Sequence, residues 1–399
     1  MTESSLYAIM NRILGIGKRG FYFMKKTLLL AALSLSVSIL LCGCGDDKTE
    51  PNIIEEVTLE NTEEKAPAEQ TTDIVAEDEV PPEEGMVRSK LTNEWVTADI
   101  GSLRPLAVMI PNDKSALPQY NISEAEILYE CLVEGEITRL MAIYEDWTNL
   151  ERVGNIRSCR DYFVYWAFEW DAIYIHAGGP FYIDEVIGRK DTNNINALVA
   201  PSGVFFRSTD RSAPQNLYLN GSDIVKEANR LGYEMTPRSG YADSNHFQFA
   251  SASKPNMLEE NGSTAANATK IDLSNAYPVT QTWFEYNAED GLYYRFQKPS
   301  GGAHMDEATG EQLAFKNVLI QFTYHEVRDD NGYLAFQCSD TSRDGWYFTN
   351  GKGIHVNWKK TSDYGATRYY DDNGKEITLN TGKTMICIVE DGDTFSYSN

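Results

Sequence analysis

The stretch from Tyr129 to Gly179 carries the side chains best suited to chemistry. Within it, carboxylates, guanidinium groups and one imidazole are spaced through segments that are otherwise apolar. These side chains are Glu130, Glu134, Arg139, Arg157, Arg160 and His176. Charged residues in an apolar scaffold are typical of a binding or catalytic site, because the scaffold fixes their positions. The pattern indicates where a site lies, but it does not name a reaction.

The segment Arg157-Ser158-Cys159-Arg160 opens a predicted helix over about residues 159–169. Free N–H groups at a helix start favour anions, and two guanidinium groups add planar donors that suit a phosphate or a carboxylate. Ser158 is predicted to cap this helix, with Asp161 returning a bond to its amide, and a nucleophile is the alternative role. Alternatively, the arginines pair with nearby carboxylates and hold two elements together.

The two carboxylates Glu130 and Glu134 fall on one face if the chain is extended there, because side chains alternate with a period of two. Two carboxylates on one face can share a proton, hold a divalent cation or pair with arginines. A structural ion-pair network is the plainest of these interpretations. General acid or base chemistry stays open for both residues.

Two histidines lie where loops begin, and loops carry many functional residues. His176 ends a predicted strand before Gly178 and Gly179, and a core histidine bonded to a carbonyl is the alternative. His304 and Asp306 follow two glycines and are candidates for an acid/base couple or a pair of metal ligands, or for a plain polar turn. The sequence shows no zinc-ligand spacing, phosphate-binding glycine loop or Gly-x-Ser-x-Gly motif, so no metal or cofactor is predicted.

The N-terminal segment, residues 1–43, reads as an upstream extension followed by a lipoprotein signal peptide. From Met24, two lysines precede an apolar run that ends in Leu41-Cys42-Gly43-Cys44. Small residues before a cut are typical of signal peptides, so we predict cleavage and lipidation at Cys44. A membrane-spanning anchor is the alternative interpretation of the apolar run.

Residues 44–86 follow as an acidic segment with fifteen acidic residues and two lysines. So few apolar residues cannot offset the entropy of ordering, and we predict a solvated, disordered tether. The whole chain of 399 residues has a net charge of −24, which disfavours nucleic acid as a partner.

The rest of the chain predicts an α+β protein with two domains. A mixed-sheet N-terminal domain with packed helices is predicted over residues 87–250, a linker over 251–276, and a smaller, mainly antiparallel domain over 277–399. Apolar runs predict strands at 106–110, 127–133 and 137–144, and helical spacing predicts a helix at 223–231 that stops at Gly232. Four isolated cysteines, Cys131, Cys159, Cys338 and Cys387, are expected to be buried free thiols, although disulfides are possible outside the cytoplasm.

Aromatic side chains are frequent in the C-terminal half. Examples are Trp283, Tyr293, Tyr294, Trp346, Tyr347, Trp358 and Tyr369. Rows of aromatic residues on a sheet can stack sugar rings, but they more often form packing pairs between strands. Packing is therefore the favoured interpretation.

Several segments resemble the YerB-like family of bacterial lipoproteins, a group built around domains of unknown function. They are Arg104-Pro-Leu-Ala-Val, Glu134-Gly-Glu-Ile-Thr-Arg139, Gly154-Asn-Ile-Arg-Ser-Cys-Arg160, His176-Ala-Gly-Gly, Ala213-Pro-Gln-Asn-Leu-Tyr218, Gly302-Ala-His-Met-Asp306, Asn317-Val-Leu-Ile, Trp358-Lys and Leu379-Asn-Thr-Gly382. The resemblance implies a lipid-anchored envelope protein with an α+β domain and a β-rich domain. It implies no established activity.

The leading hypothesis is an envelope lipoprotein, held on the outer face of the cell membrane through Cys44, that binds an anionic cell-wall polymer or fragment. The ligand-binding candidates are Arg139, Arg157, Ser158, Arg160, Arg207 and Asn216. One alternative is a hydrolase or transferase acting on such a polymer, whose acid/base candidates are Glu130, Glu134, His176, His304 and Asp306. Another alternative is a scaffold that contacts a second envelope protein through the β-rich half.

Overall fold

A computed structural model describes residues 79–241, 246–258 and 265–399 of the chain. The predicted signal peptide, Cys44 and the tether as far as residue 78 lie outside these ranges. In the part of the chain that is described, no helix combines the length and apolar character needed to cross a bilayer. The fold class is α+β, as predicted, and its largest element is a mixed sheet.

Strands form most of the regular structure in the described ranges. In the first half they are β1 (Met86–Arg88), β2 (Trp95–Thr97), β3 (Leu106–Pro111), β4 (Ile127–Leu132), β5 (Thr138–Tyr144), β6 (Val153–Gly154), β7 (Ile173–His176), β8 (Asn194–Asn196), β9 (Phe205–Arg207) and β10 (Leu217–Leu219). In the second half they are β11 (Ala266–Asn267), β12 (Lys270–Asp272), β13 (Trp283–Asn287), β14 (Leu292–Gln297), β15 (Gly302–Ala303), β16 (Ala314–Phe315), β17 (Asn317–Thr323), β18 (His325–Val327), β19 (Leu334–Phe336), β20 (Asp340–Thr349), β21 (Lys352–Lys360), β22 (Arg368–Tyr370), β23 (Thr384–Glu390) and β24 (Ser396–Ser398).

The helices of the described ranges are short. They are α1 (Ala98–Gly101), α2 (Asp161–Phe168), α3 (Asp184–Ile187) and α4 (Gly221–Leu231), with 3₁₀ turns at Lys114–Ala116, Glu134–Glu136 and Phe181–Ile183. Helix α4 buries Ile224 and Ala228 on one face and ends at Gly232. Gly232 has a left-handed conformation with a φ of 75°, and its N–H donates to carbonyl groups of the last turn. The predicted helix and its glycine stop are confirmed.

The main sheet has eleven strands in the order β11-β21-β20-β17-β23-β4-β5-β3-β7-β8, with β22 added beside β21. Strands β17, β23 and β4 run parallel, as do β3, β7 and β8, while β5 is antiparallel to both of its neighbours. Every residue of β3, β4 and β5 is buried. Strands covered on both faces need apolar side chains throughout, which explains why these runs do not alternate.

Both halves of the chain contribute to this sheet. Strand β23 lies between β17 and β4, and Cys387 is the register partner of Glu130. Two short strands, β11 and β12, lie inside the predicted linker. The division into domains at residues 250 and 277 stays a prediction.

A second, antiparallel sheet contains β15, β14, β13, β12 and β24 in that order, with β16 also beside β14. In β14 every second residue is buried, because one face of the strand packs on the core. Of the aromatic residues considered for sugar stacking, Tyr293, Tyr347, Trp358 and Tyr369 are buried. These four aromatic residues therefore pack in the core.

The four cysteines Cys131, Cys159, Cys338 and Cys387 are buried free thiols, as expected.

Candidate functional site

The predicted site residues gather mainly at one edge of the main sheet, where β3 ends at Pro111, β4 at Leu132, β7 at His176 and β8 at Asn196. The antiparallel strand β5 begins at the same edge, which places Arg139 there. In sheets with parallel strands, ligands bind at this carboxyl end, because the loops leave crevices between them.

Arg139, Arg157 and Arg160, termed here the arginine cluster, lie together at this edge. Arg160 Nε donates to Glu134 Oε2 at 2.9 Å, Arg160 Nη2 donates to the other oxygen of Glu134, and Nη1 donates to the Cys159 carbonyl at 2.6 Å. Burial would raise the pKa of Glu134, but the hydrogen bond and charge of Arg160 lower it below its usual value. Arg160 and Glu134 therefore form a tight pair, as one of the two sequence interpretations proposed.

Arg139 has no carboxylate partner among the described residues. It is 5% exposed, and its Nη1 donates to the Ser158 carbonyl at 2.8 Å, while its Nε has no hydrogen-bond acceptor. The pKa of the Arg139 guanidinium is lowered to about 10, first by burial and then by the charge of Arg160, with Glu134 opposing. An anion that bound here would accept a hydrogen bond from the free N–H of Arg139. It would also be attracted by the charges of both Arg139 and Arg160.

Arg157 is the third member of the arginine cluster, and within the described ranges its guanidinium makes no hydrogen bond or ion pair. Its Nε is buried without a partner, although the side chain as a whole is half-buried. The positive charge of Arg157 also lowers the pKa of Arg139, so the two guanidinium groups are neighbours. Among the described residues, Arg160 is thus the member of the arginine cluster that pairs with a carboxylate, which is Glu134.

The helix beside the arginine cluster begins later than predicted. Helix α2 starts at Asp161 with Arg160 at the cap position and no side-chain cap bond, so the predicted Ser158 cap is wrong. Tertiary backbone bonds keep the preceding segment extended: Arg157 N donates to the Met109 carbonyl at 2.8 Å, and Cys159 N donates to the Gly178 carbonyl at 2.9 Å. Asp161 instead accepts from Tyr162 N at 3.0 Å and pairs with Arg328.

Glu130 and Glu134 do not share a strand face. Strand β4 ends at Leu132, and Glu134 lies in the 3₁₀ turn where Gly135 has a φ of 76°. Glu130 is completely buried, and its Oε1 accepts from the hydroxyls of Thr138 at 2.7 Å and Thr282 at 3.0 Å. The shared face that an extended chain would give is not formed, because the chain turns at Gly135, in the gap between the predicted strands 127–133 and 137–144.

Glu130 belongs to a polar network that spans both halves of the chain. Its Oε2 accepts from Arg295 Nη2 at 2.8 Å, and both side chains have zero exposure. Arg295 Nη1 also contacts His304 Nδ1, and His304 Nε2 bonds Gln119 Oε1 at 2.7 Å. Burial and the charge of Arg295 hold the pKa of His304 far below its usual value, so its ring is neutral. This geometry is that of a buried structural link.

His176 and Asp306, the remaining acid/base candidates, also make several hydrogen bonds within the protein. His176 is buried, with Nδ1 2.9 Å from the Gly178 carbonyl and Nε2 3.2 Å from Asn194 Oδ1, and burial lowers its pKa. Asp306 accepts from Asn121 N at 3.0 Å and from Ser123 N at 2.7 Å. Asp306 therefore ties its loop to the segment before β4.

Arg207 and Asn216 lie on the small sheet β6-β10-β9, where Arg207 Nη1 donates to Asn216 Oδ1 at 2.8 Å. This pair belongs to a different sheet from the arginine cluster. Across the described residues, no three His, Cys, Asp or Glu side chains are grouped to hold a metal ion.

Sequence reasoning missed Arg295, which is the partner of Glu130. The sequence carried no signal for it, because the phase of β14 that holds Arg295 also holds Tyr293 and Gln297, whereas Leu292 and Phe296 lie on the opposite, less buried phase. By sequence alone, the face with Arg295 would be taken as the solvent face.

Comparison with known proteins agrees with this architecture. Residues 91–234 match the model described as "Protein of unknown function (DUF3048) N-terminal domain", and residues 271–386 match the corresponding C-terminal domain. These α+β proteins form a family of unassigned activity, and the chain belongs to it.

A relative in Bacillus subtilis (strain 168), named "Putative lipoprotein YerB", is 28% identical over 324 residues, which are 80% of this chain and 92% of the relative. The crystal structure of YerB protein from Bacillus subtilis aligns with a TM-score of 0.66 at 26% identity, over 78% of this chain and 99% of that chain. The shared fold therefore extends over nearly all of that solved chain.

Proposed function

We propose that this protein is a lipid-anchored envelope protein that binds a phosphate-bearing or carboxylate-bearing polymer of the cell wall through the arginine cluster. The single observation that supports the proposal is the charge imbalance at the carboxyl edge of the main sheet. There, Arg139 and Arg157 lack a carboxylate partner among the described residues, and each has an N–H group without an acceptor.

The physical argument concerns desolvation. Buried donors without acceptors cost roughly 1–3 kcal/mol each, and more when they are charged. An anion placed between Arg139 and Arg157 would accept from both and would neutralise the excess positive charge. Ser158 and Glu134 are partly exposed, so the cluster has access to solvent on that side.

The membrane anchor is part of the same proposal. The cysteine that ends the signal pattern, Cys44, would carry the lipid, and the relative named as a lipoprotein supports this assignment. The acidic tether would then extend away from the negatively charged membrane surface and present the folded part to the wall.

Titration calorimetry on the full chain in detergent micelles tests the binding. The probes are a soluble poly(glycerol phosphate) and a neutral dextran of equal length, each at two salt concentrations. We expect the phosphate polymer to bind, more weakly at high salt, and dextran not to bind. Arg157→Gln should weaken binding about tenfold or more, since a charge-assisted hydrogen bond is lost.

Arg230→Gln is the matched control, because Arg230 is an exposed arginine of α4 whose ion pair is with Glu227 on the same helix. It should leave the affinity within about twofold of wild type. Equal affinities of wild type and Arg157→Gln would overturn the proposal. Released polymer fragments in the same incubation would favour the hydrolase alternative, for which Glu134, 29% exposed, is the accessible carboxylate.

A further inference from the structure

A cavity of about 160 Å³ lies at the opposite edge of the main sheet from the arginine cluster. Leu103 and Pro105 precede β3, Glu145 follows β5, and Glu169 and Trp170 precede β7, so the cavity is at the amino ends of the parallel strands. Its rim includes the exposed residues Ser239 and Gly240 and therefore reaches the protein surface.

His246 forms part of the cavity wall and is held in one orientation. Its Nε2 lies 3.1 Å from Glu169 Oε2, and its ring stacks on Trp170 with centroids 3.5 Å apart. The Glu169 carboxylate also accepts hydrogen bonds from the Tyr129 hydroxyl at 2.8 Å and from Thr367 N at 2.7 Å. These contacts fix the imidazole plane and the nitrogen that faces Glu169.

The protonation of this pair follows from its surroundings. Burial would raise the pKa of Glu169, but the charge of Lys360 and the bond from His246 hold it at about 2, so Glu169 is ionised. Burial lowers the pKa of His246, so its ring is neutral and carries its proton on Nε2, towards the carboxylate. Nδ1 is then a hydrogen-bond acceptor, and it is buried with no partner among the described residues.

The remaining wall indicates what would bind there. Leu91, Leu103, Pro105 and Trp170 supply apolar surface. The Glu145 carboxyl is 3% exposed and already bonded to Ser89 and to the backbone of Lys90, whose exposed ammonium group lies at the rim, so His246 Nδ1 is the buried acceptor left for a ligand. The Arg238 guanidinium is committed to Asp171, at 2.6 Å and 2.8 Å, so it adds no free charge.

We propose that this cavity is a binding site for a small single-ring compound that carries an O–H or N–H donor, which it gives to His246 Nδ1. The size follows from the volume, because a cavity of about 150 Å³ accommodates benzene. The donor requirement follows from the unpartnered acceptor. This site is independent of the arginine cluster and of the anionic ligand.

Ligand-observed NMR on the full chain, with phenol and anisole as probes, tests the proposal. Both rings fit the volume, but only phenol can donate, so phenol should bind about tenfold more tightly, the usual effect of satisfying one buried acceptor. His246→Phe keeps the stacking on Trp170 and removes the acceptor, so the preference for phenol should disappear.

A second variant keeps the test valid if His246→Phe does not fold. Leu103→Trp fills the cavity while leaving the His246–Glu169 pair intact, and it should abolish binding of both probes. Leu198→Trp is the control, because Leu198 is 60% exposed and lies outside the cavity lining. Equal binding of phenol and anisole to wild type would overturn the proposal, as would unchanged binding to Leu103→Trp. Binding of neither probe would overturn it as well.

Discussion

Replacing Arg295 by methionine should destabilise the whole described fold, because it leaves the Glu130 carboxylate buried without its cation. Both side chains have zero exposure, and their atoms lie 2.8 Å apart. Removing one partner of a buried pair typically costs about 3–5 kcal/mol, since the other charge cannot be hydrated. For a chain of this size, that corresponds to a melting temperature lower by roughly 5–8 °C.

Chemical denaturation followed by circular dichroism measures this cost. Arg343→Met is the matched control, because Arg343 pairs with Asp340 and Asp391 at a side-chain exposure of 22%, and such pairs contribute about 0–1 kcal/mol. A single unfolding transition is expected, because Glu130 and Arg295 belong to different halves of the chain.

The double variant Glu130→Leu/Arg295→Met separates a charge effect from a packing effect. With both charges removed, no unpaired ion remains, so the double variant should be more stable than Arg295→Met alone. A cost below about 1 kcal/mol for Arg295→Met, or strictly additive single effects, would refute the reasoning.

Three further predictions concern other regions. The pKa of Glu390 is raised to about 7 by burial and by its neighbours Asp393 and Glu136, whereas in the unfolded chain it is near the ordinary value of 4.5. The folded protein therefore loses stability as the pH rises from about 4.5 to 7, and Glu390→Gln should flatten this part of the profile of melting temperature against pH. Gly221→Ala should cost about 3 kcal/mol or more in urea denaturation, because a Cβ there would meet the Trp147 carbonyl, whereas Gly232→Ala, in open space at φ 75°, should cost only about 1 kcal/mol. Cys44→Ala should abolish incorporation of a labelled fatty acid in growing cells, while Cys42→Ala should retain it; label in the Cys44 variant would contradict the proposed anchor.

The strands near the middle of the sheet were predictable from local pattern alone. The apolar run at 106–110 became β3, and the run at 127–133 became β4 to within one residue. The pairing of these strands was not predictable, because parallel strands buried on both faces are apolar throughout and their sequences fit many neighbours. Placing β23 beside β4 joins residues more than 250 positions apart in sequence, and no periodicity reports such a contact.

The same limit applies to the candidate site. Residue types identified the arginine cluster, and the Arg160–Glu134 pair was one of the alternatives considered. Arg295, the cation that pairs with Glu130, and Ser123, which donates to Asp306, each lie more than 160 residues away in sequence from the carboxylate, so local reasoning could not separate a structural carboxylate from a catalytic one. Helix start was misplaced for a related reason, since backbone bonds to β3 and to Gly178 override the capping tendency of Ser158.

Strand β23 occupies residues 384–390 yet lies between β17 and β4. On the proposed export route, the ribosome and the translocation machinery must release the chain as far as residue 390 before these two strands acquire their shared neighbour. A premature stop or proteolytic cut upstream of residue 384 would therefore remove an interior strand and leave two open edges. We expect such truncated chains to aggregate or to be degraded, whichever half of the protein they retain.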